Sequence, residues 1–490
     1  FVVMVSRSSG FNIGIFLYIA GSNVLLLGLA FLLSGIVSIY YGETQAWFLI
    51  VSFAVSVLLG GFLVYRNRNF VPQISKKDGR LIVGLMWLLI PILGALPFAF
   101  DTRHFDLIEA LFESFSGYTT TGASVVDDVE SLSKGLLFYR SFTQWIGGLG
   151  FAFLVIVFVR DFPDGAKNLF NAEFNSIEKE KDRPHIKNTV FKLFVIYSVF
   201  TIVCFVLLNL GDMNSFEAIC HTFSTISTGG FTVSNNNIGT YGNYSQIVIM
   251  VFMFLSGISY FLMISFLNGK FKKLFKDEQL RMYIRVILIF SIGFFLYFLL
   301  VGQSEVKNSI RTSLFYVIST VSTTGFDLKA NNIGLFASAC MIVLMFIGGC
   351  SASSSTGLKM IRFTILLKYI PVALKRVFHP RAIILVRYNG KGLRDEEVKP
   401  IFGFFFLFLA IFMIGIIALT MAGNDLVPSL ALSAASISNI GPIMGTFAEG
   451  FSYDGLNVAS KSILIALMLI GRLEIFALFA VFSPSVWKRG

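Results

Sequence analysis

Four short segments of the chain have the composition needed to strip and hold a cation. Residues 119–123 read TTTGA, 227–231 STGGF, 322–326 STTGF and 438–442 SNIGP. Aligned on glycine, they put Gly122, Gly230, Gly325 and Gly441 in register, 108, 95 and 116 residues apart. Glycine reaches backbone angles closed to other residues, so a strand built around it can turn successive carbonyl oxygens to one side. Four such strands about one axis replace an ion's water shell with rings of carbonyls, and no carboxylate is required. Taken singly, each segment reads equally well as a turn or a close helix contact. Four in register, in one repeated context, favour the ion-binding reading.

Two further features bear on the same chemistry. Gly348–Gly357 reads GGCSASSSTG, ten small residues inside an apolar run. Glycine costs about 1 kcal/mol in a helix interior, and serine and threonine compete for the backbone. Such a run should unwind a helix in mid-membrane, where irregular backbone must line a cavity. A tightly packed helix contact is the other reading. Arg472, in LMLIGRLEIFA, lies at the centre of the last apolar run. A central arginine costs about 2.5–3.5 kcal/mol on insertion, so it should face the interior and find partners. Glu474 is one candidate, and the unwound carbonyls of 348–357 are better placed. The charge would repel a permeating cation; alternatively it ties two helices together.

Enzyme chemistry finds no constellation. His104, His185, His221 and His379 are scattered, with no metal-ligand spacing. Cys350 has no activating neighbour, and no phosphate-binding P-loop or dinucleotide fingerprint occurs.

The elements that position these residues are membrane spans. Of 490 residues 55% are hydrophobic and only 14% charged, against about 25% in soluble domains. Four cysteines exclude a disulfide scaffold. Windows of about 20 apolar residues lie near 12–37, 47–65, 81–100, 141–159, 188–210, 246–269, 286–302, 334–358, 400–423 and 462–483. Each of the four segments follows an amphipathic stretch too short to span. These are Asp106–Tyr118, Asn214–Ile226, Asn308–Val321 and Asp425–Ile437, starting at or near the capping residues Asp106, Ser215, Ser309 and Asp425. Their C-terminal ends, each with about half a negative charge, should point at the segments.

Charge sets the orientation. Alternate connections hold 30 of the 39 basic residues against 12 acids, and the opposite ones hold seven against 15. The positive-inside rule then puts both termini in the cytoplasm. The net charge of +11 thus conceals an acidic outer face, and the nucleic-acid partner that a basic chain suggests loses its support. Lys192, Arg472 and Glu474 are the ionisable residues within the expected spans.

On these motifs the chain resembles the TrkH/TrkG/KtrB superfamily of potassium uptake proteins over roughly residues 80–485. Two additional N-terminal spans are similar to the TrkH branch. The resemblance implies an all-α polytopic membrane protein with four membrane–pore loop–membrane repeats around one pore. The expected divisions are 1–80 for the extra helices, then 81–160, 161–285, 286–375 and 376–490 for the repeats. It implies a potassium filter at Thr120, Thr121 and Gly122; Thr228, Gly229 and Gly230; Thr323, Thr324 and Gly325; and Asn439, Ile440 and Gly441. Glycine at all four register positions goes in the family with potassium selectivity; the fourth segment departs in type through Asn439, Ile440 and Pro442.

The run Gly348, Gly349, Cys350, Ser351, Ala352, Ser353, Ser354, Ser355, Thr356 and Gly357 would be an intramembrane gate interacting with Arg472. The implied setting is the bacterial cytoplasmic (inner) membrane, with K+ (and Rb+) as permeant ion and no other cofactor. The implied partners are the lipid bilayer, a second copy in a homodimer, and a nucleotide-binding RCK-type subunit on the cytoplasmic face. A symporter coupling potassium to H+ or Na+ is the alternative expectation.

Overall fold

A computed structural model describes residues 12–68, 75–150, 186–301, 306–328, 333–382, 384–441 and 452–473. Helix α1 (Ile13–Tyr40) starts where the Asn12 side chain accepts from the Ile15 amide, and it pairs with α2 (Ala46–Asn67) along small residues. A Cβ on Gly21 would lie 2.9 Å from the Gly60 carbonyl, and one on Gly60 equally close to the Gly21 carbonyl. Small residues here let two backbones touch where lipid supplies no hydrophobic drive. Helix α3 (Lys76–Gly94), opened by a Ser75/Asp78 capping box and containing Pro91, is followed across Ala95 by α4 (Leu96–Phe100).

The core repeats one arrangement four times. Four short helices, α5 (Leu107–Tyr118), α8 (Ser215–Ile226), α13 (Val306–Val321) and α17 (Leu426–Ser438), are buried on every side in their last two turns. Helices α6 (Lys134–Leu149), α9 (Asn243–Ser256), α14 (Gly334–Ile347) and α18 (Val458–Arg472) follow them. Each short helix packs against the helix after it and one from the preceding unit: α5 on α18, α8 on α6, α13 on α9, α17 on α14. Because α18 returns to α5, the chain closes into a ring. The outer helices are α7 (Ile186–Asn209), α12 (Glu278–Leu300) and α16 (Asp395–Met421). Their exposed residues, such as Ile202, Ile289 and Phe406, are large and apolar, as a lipid-facing surface requires.

The chain is an all-α polytopic membrane protein. Among the described residues six helices are long and apolar enough to span, or seven with one bent pair. Within the described residues, three of the expected spans are not continuous helices. The run 246–269 was expected to be continuous, yet α9 and α10 (Tyr260–Leu267) meet at 94° across residues 257–259. The break frees the Gly257 carbonyl, which accepts from the Cys350 amide at 2.9 Å. The run 334–358 stops at Ile347 and resumes as α15 (Met360–Phe378). Helix α6 ends at Gly150, at φ +87°, so the expected 141–159 span is helical only to Leu149 and then leaves the described residues. Glu474 and the end of the last span also lie outside them.

Three local expectations shift as well. The second short helix is capped by Asn214, not Ser215, through a box with Glu217. The third begins at Val306, upstream of Ser309. A hairpin of β1 (Val386–Tyr388) and β2 (Lys391–Leu393) interrupts the all-helical pattern. Its tip residue Asn389 bonds Asp277 and the Glu278 amide, beside α11 (Phe271–Lys276) and the start of α12.

Candidate functional site

The four Thr/Ser/Gly segments leave their helices by the same backbone path. Thr120, Thr228, Thr323 and Asn439 have φ of 55°, 54°, 61° and 50°, and the glycines two residues on have φ of 83°, 83°, 83° and 86°. Each left-handed residue donates its amide three residues back, to Gly117, Thr225, Thr320 or Ser436. The next residue donates five back, to Ser116, Ser224, Ser319 or Ala435, at 2.8–3.0 Å. These bonds close the last turn of each helix and satisfy carbonyls that would otherwise be orphaned. Asparagine tolerates the left-handed region, whereas threonine, branched at Cβ, is an outlier there. Three threonines at equivalent positions mean strain over-determined by the surroundings, a mark of functional sites.

The strands are packed carbonyl against glycine. A Cβ on Gly122 would fall 2.0 Å from the Gly229 carbonyl oxygen, one on Gly230 2.1 Å from that of Thr324, and one on Gly441 2.3 Å from that of Thr121. In each case the carbonyl belongs to the residue just before the neighbouring strand's own register glycine. No larger residue fits, and the contacts run from strand to strand in the order of the helix ring. All twelve expected site residues are buried.

Behind the strands, side chains of α6 hold two units together. Gln144 donates Nε2 to the Gly229 carbonyl (2.8 Å), and its Oε1 accepts from the Phe231 amide (3.1 Å). Arg140, 1% exposed, donates Nε to Glu113 Oε1 at 2.6 Å, Nη1 to the Thr232 carbonyl and Nη2 to Ser124. Its guanidinium also lies 4.2 Å over the Phe231 ring. Glu113 is fully buried and accepts in addition from Ser124 and the Val125 amide. On the opposite side Asn439 donates to Thr121 Oγ1 and the Met468 carbonyl, both at 2.8 Å, and buried Lys461 pairs with Glu109 at 2.6 Å. Two of the seven basic residues counted with the outer connections, Arg140 and Lys461, are thus interior struts.

The small-residue run bonds directly to the third and fourth segments and reaches the first through Arg472. Between α14 and α15 the backbone takes φ of 70° at Gly348, 56° at Ala352 and 81° at Gly357, and all of 348–357 is buried except Ser351, which is half-buried. Thr356 donates its amide to Thr323 Oγ1 (3.0 Å) and its hydroxyl to the Ser438 carbonyl (2.6 Å). Arg472 donates Nη1 to Thr120 Oγ1 (3.0 Å) and the Ser354 carbonyl (3.2 Å), and Nη2 to the Gly147 carbonyl (2.5 Å). Tyr260 bonds Ser354 through its hydroxyl (2.7 Å) and the Ala352 carbonyl through its amide (3.0 Å). The run is therefore an unwound loop stapled to the strands, and the close helix contact is not what forms. Arg472 meets both strand and loop.

Sequence reasoning missed Gln144, the Arg140–Glu113 pair and Tyr260. Arg140, Gln144 and Gly147 fall at helical spacing on one face of α6, a polar stripe in an apolar run, and that signal was available. The contact of Tyr260 with the loop depends on the 94° bend, which no periodicity encodes.

Comparison with known proteins gives the family and the fold. A family model described as "TrkH: Cation transport protein" matches residues 48–489. The Trk system potassium uptake protein TrkH of Escherichia coli K12 is 33% identical over 477 residues, covering 96% of this chain and 98% of that protein. The Trk system potassium uptake protein TrkG of the same organism is 31% identical over 478 residues. The crystal structure of the potassium transporter TrkH from Vibrio parahaemolyticus superposes with a TM-score of 0.88 at 30% identity, over 97% of this chain and all of the other.

The buried ion pair supplies a direct test of how the site is held. Arg140→Met should lower stability by about 3–5 kcal/mol, because Glu113 is left charged and unpaired in the interior. The double variant Arg140→Met/Glu113→Met should recover most of that loss. Thermal unfolding of the purified protein checks both; equal instability of single and double variants would mean that charge pairing is not what the site needs.

Proposed function

Because the chain belongs to the TrkH family of cation transport proteins, we propose that it takes up potassium across the bacterial cytoplasmic membrane through the ring of four strands. The observation that carries this reading is the fourfold backbone repeat, a left-handed residue followed two places later by a register glycine, at the ends of four buried helices. Thr120–Gly122, Thr228–Gly230, Thr323–Gly325 and Asn439–Gly441 form the filter. Their carbonyls take over the water shell of K+, with Rb+ accepted as a close mimic. The helices α5, α8, α13 and α17 add the negative ends of four dipoles, so a cation is stabilised with no titratable ligand. The units 81–160, 161–285, 286–375 and 376–490 each contribute one strand, with 1–80 outside the pore.

The loop Gly348–Gly357 is the gate. Its hydrogen bonds to Thr323 and Ser438, and the Arg472 guanidinium beside Thr120, support this reading: the loop is tied to the strands and a fixed positive charge stands next to them. That charge sits at the end of the α5 dipole, where a permeating cation would otherwise be held. Opening requires the loop and Arg472 to part from the strands. A route from the cytoplasm exists: Asn389, at the hairpin tip, bonds the start of α12, and Gln279 of α12 accepts from the Ser351 amide at 3.0 Å. Residues 359–399, with ten basic residues and three acidic, form the surface on which a nucleotide-binding RCK-type subunit docks. A homodimer with one pore per protomer completes the assembly.

Reconstituted protein tests the filter and the gate separately. Gly122→Ser should reduce discrimination between K+ and Na+ roughly tenfold, equivalent to about 1.4 kcal/mol, because the new Cβ meets the Gly229 carbonyl. Reversal potentials measured with varied K+, Na+ and pH read this out. Wild-type selectivity in the variant would remove Gly122 from the filter, and reversal potentials that follow the proton or sodium gradient would point to coupled transport.

Removal of the gate should act on flux and leave selectivity alone. Arg472→Ala, and separately deletion of Ser353–Ser355, should raise basal Rb+ uptake severalfold. Unchanged uptake by folded protein would assign Arg472 and the loop a purely structural role.

A further inference from the structure

The cytoplasmic end of the bent helix α10 carries a second site. A cavity of about 270 Å³ is lined by Thr189 and Lys192 of α7, Ser265 of α10, and Asn268, Lys270 and Lys273 beyond it, with Ile264 at its wall. Three lysines, two hydroxyl residues and an asparagine line it, and among the described lining residues none is acidic. Such a donor set binds a phosphate oxyanion.

The surroundings identify where that phosphate comes from. Along α7 the exposed residues Val195, Val199, Ile202 and Val206 continue from Lys192 at helical spacing, as one apolar stripe. From Lys192 to Ile202 the helix rises about 15 Å, half of the ~30 Å hydrocarbon core. Below the cavity, α11 exposes Phe271 and Phe275 among Lys272, Lys273 and Lys276. An apolar face set among lysines suits the level where headgroups meet acyl chains. A soluble phosphate would use the cavity and ignore the stripe; a phospholipid uses both.

The other end of α10 reaches the gate. Tyr260, its first residue, holds Ala352 and Ser354 of the loop, while Ser265 near its last turn lines the cavity. Five residues of helix, a rise of about 7.5 Å, therefore separate the two contacts. We propose that the cavity binds the phosphate of an anionic phospholipid, with an acyl chain along α7, and that its occupancy biases the gating loop through α10. The binding claim is independent of the transport reading; the gating claim rests on it.

Native mass spectrometry of the purified protein with dioleoylphosphatidylglycerol or dioleoylphosphatidylcholine tests binding. Phosphatidylglycerol should bind preferentially. Lys192→Gln/Lys270→Gln/Lys273→Gln should lose that preference, by about fivefold for each lysine removed, while the three arginine variants together retain it. Equal binding of the two lipids, or an unaltered glutamine variant, overturns the site. Displacement of the lipid by inorganic phosphate at equal concentration overturns the lipid assignment in favour of a soluble anion.

Rb+ uptake in phosphatidylcholine vesicles with and without phosphatidylglycerol tests the coupling. Wild-type uptake should change with the anionic lipid, and uptake by the glutamine variant should not. Lipid binding lost with uptake unaltered overturns the coupling alone. Absence of wild-type uptake in every lipid counts against the transport reading and leaves the binding result standing.

Discussion

Backbone that leaves the helix inside a membrane must have its N–H and C=O groups answered by other protein atoms, since lipid offers none. Four segments of this chain do so at one level, and much of the architecture follows from supplying their partners. The last turns of α5, α8, α13 and α17 take up the first two amides of each strand. Gln144 takes an amide and a carbonyl of the second strand, and Tyr453 donates to the Gly441 carbonyl of the fourth at 3.0 Å. The last two turns of the short helices are buried on every side for the same reason: they are supports for a polar backbone, and the spans exist partly to shield them.

Closure of the ring is what makes the strained angles persist. A β-branched residue in the left-handed region relaxes if its neighbours allow it. Thr120 cannot relax alone, because its strand fits against Gly229 on one side and Gly441 on the other. The Arg140–Glu113 pair and the Asn439–Thr121 bond lock those neighbours at either side of the first strand. Ion pairs buried this deeply contribute little net stability. Their value here lies in fixing register between units that touch mainly through backbone.

Composition and periodicity carried the coarse reading well. Apolar windows gave the spans, and the short amphipathic stretches gave the four buried helices to within two residues at either end. Register glycines were legible because the requirement is local: a positive φ and no room for a Cβ. Gly348–Gly357 was legible because ten small residues cannot sustain a helix. What escaped depends on juxtaposition. The bend between α9 and α10 follows residues 257–259, one glycine with flanking Ser256 and Ser259, a pattern too brief to read against a strongly apolar run. Arg140 and Lys461 sit near span ends, where basic residues are normally solvated, and only the fold reveals Glu113 and Glu109 beside them.

The same bend changes how the proposed gate can be understood. A loop held only by the pore would respond only to ions in the pore. This one is held at Thr323, Ser438 and Arg472 on the strand side, and by Gly257, Tyr260 and Gln279 on the outer side. The outer anchors belong to the break after α9, to α10 and to α12, elements with surfaces toward lipid or cytoplasm. A conformational change needs differential contacts in its two states, and a small displacement at packed elements is transmitted because such packing is not continuously deformable. In the proposed reading, the ion path and its control therefore share one ten-residue segment, with the permeant ion acting on one side and the cytoplasmic surface on the other.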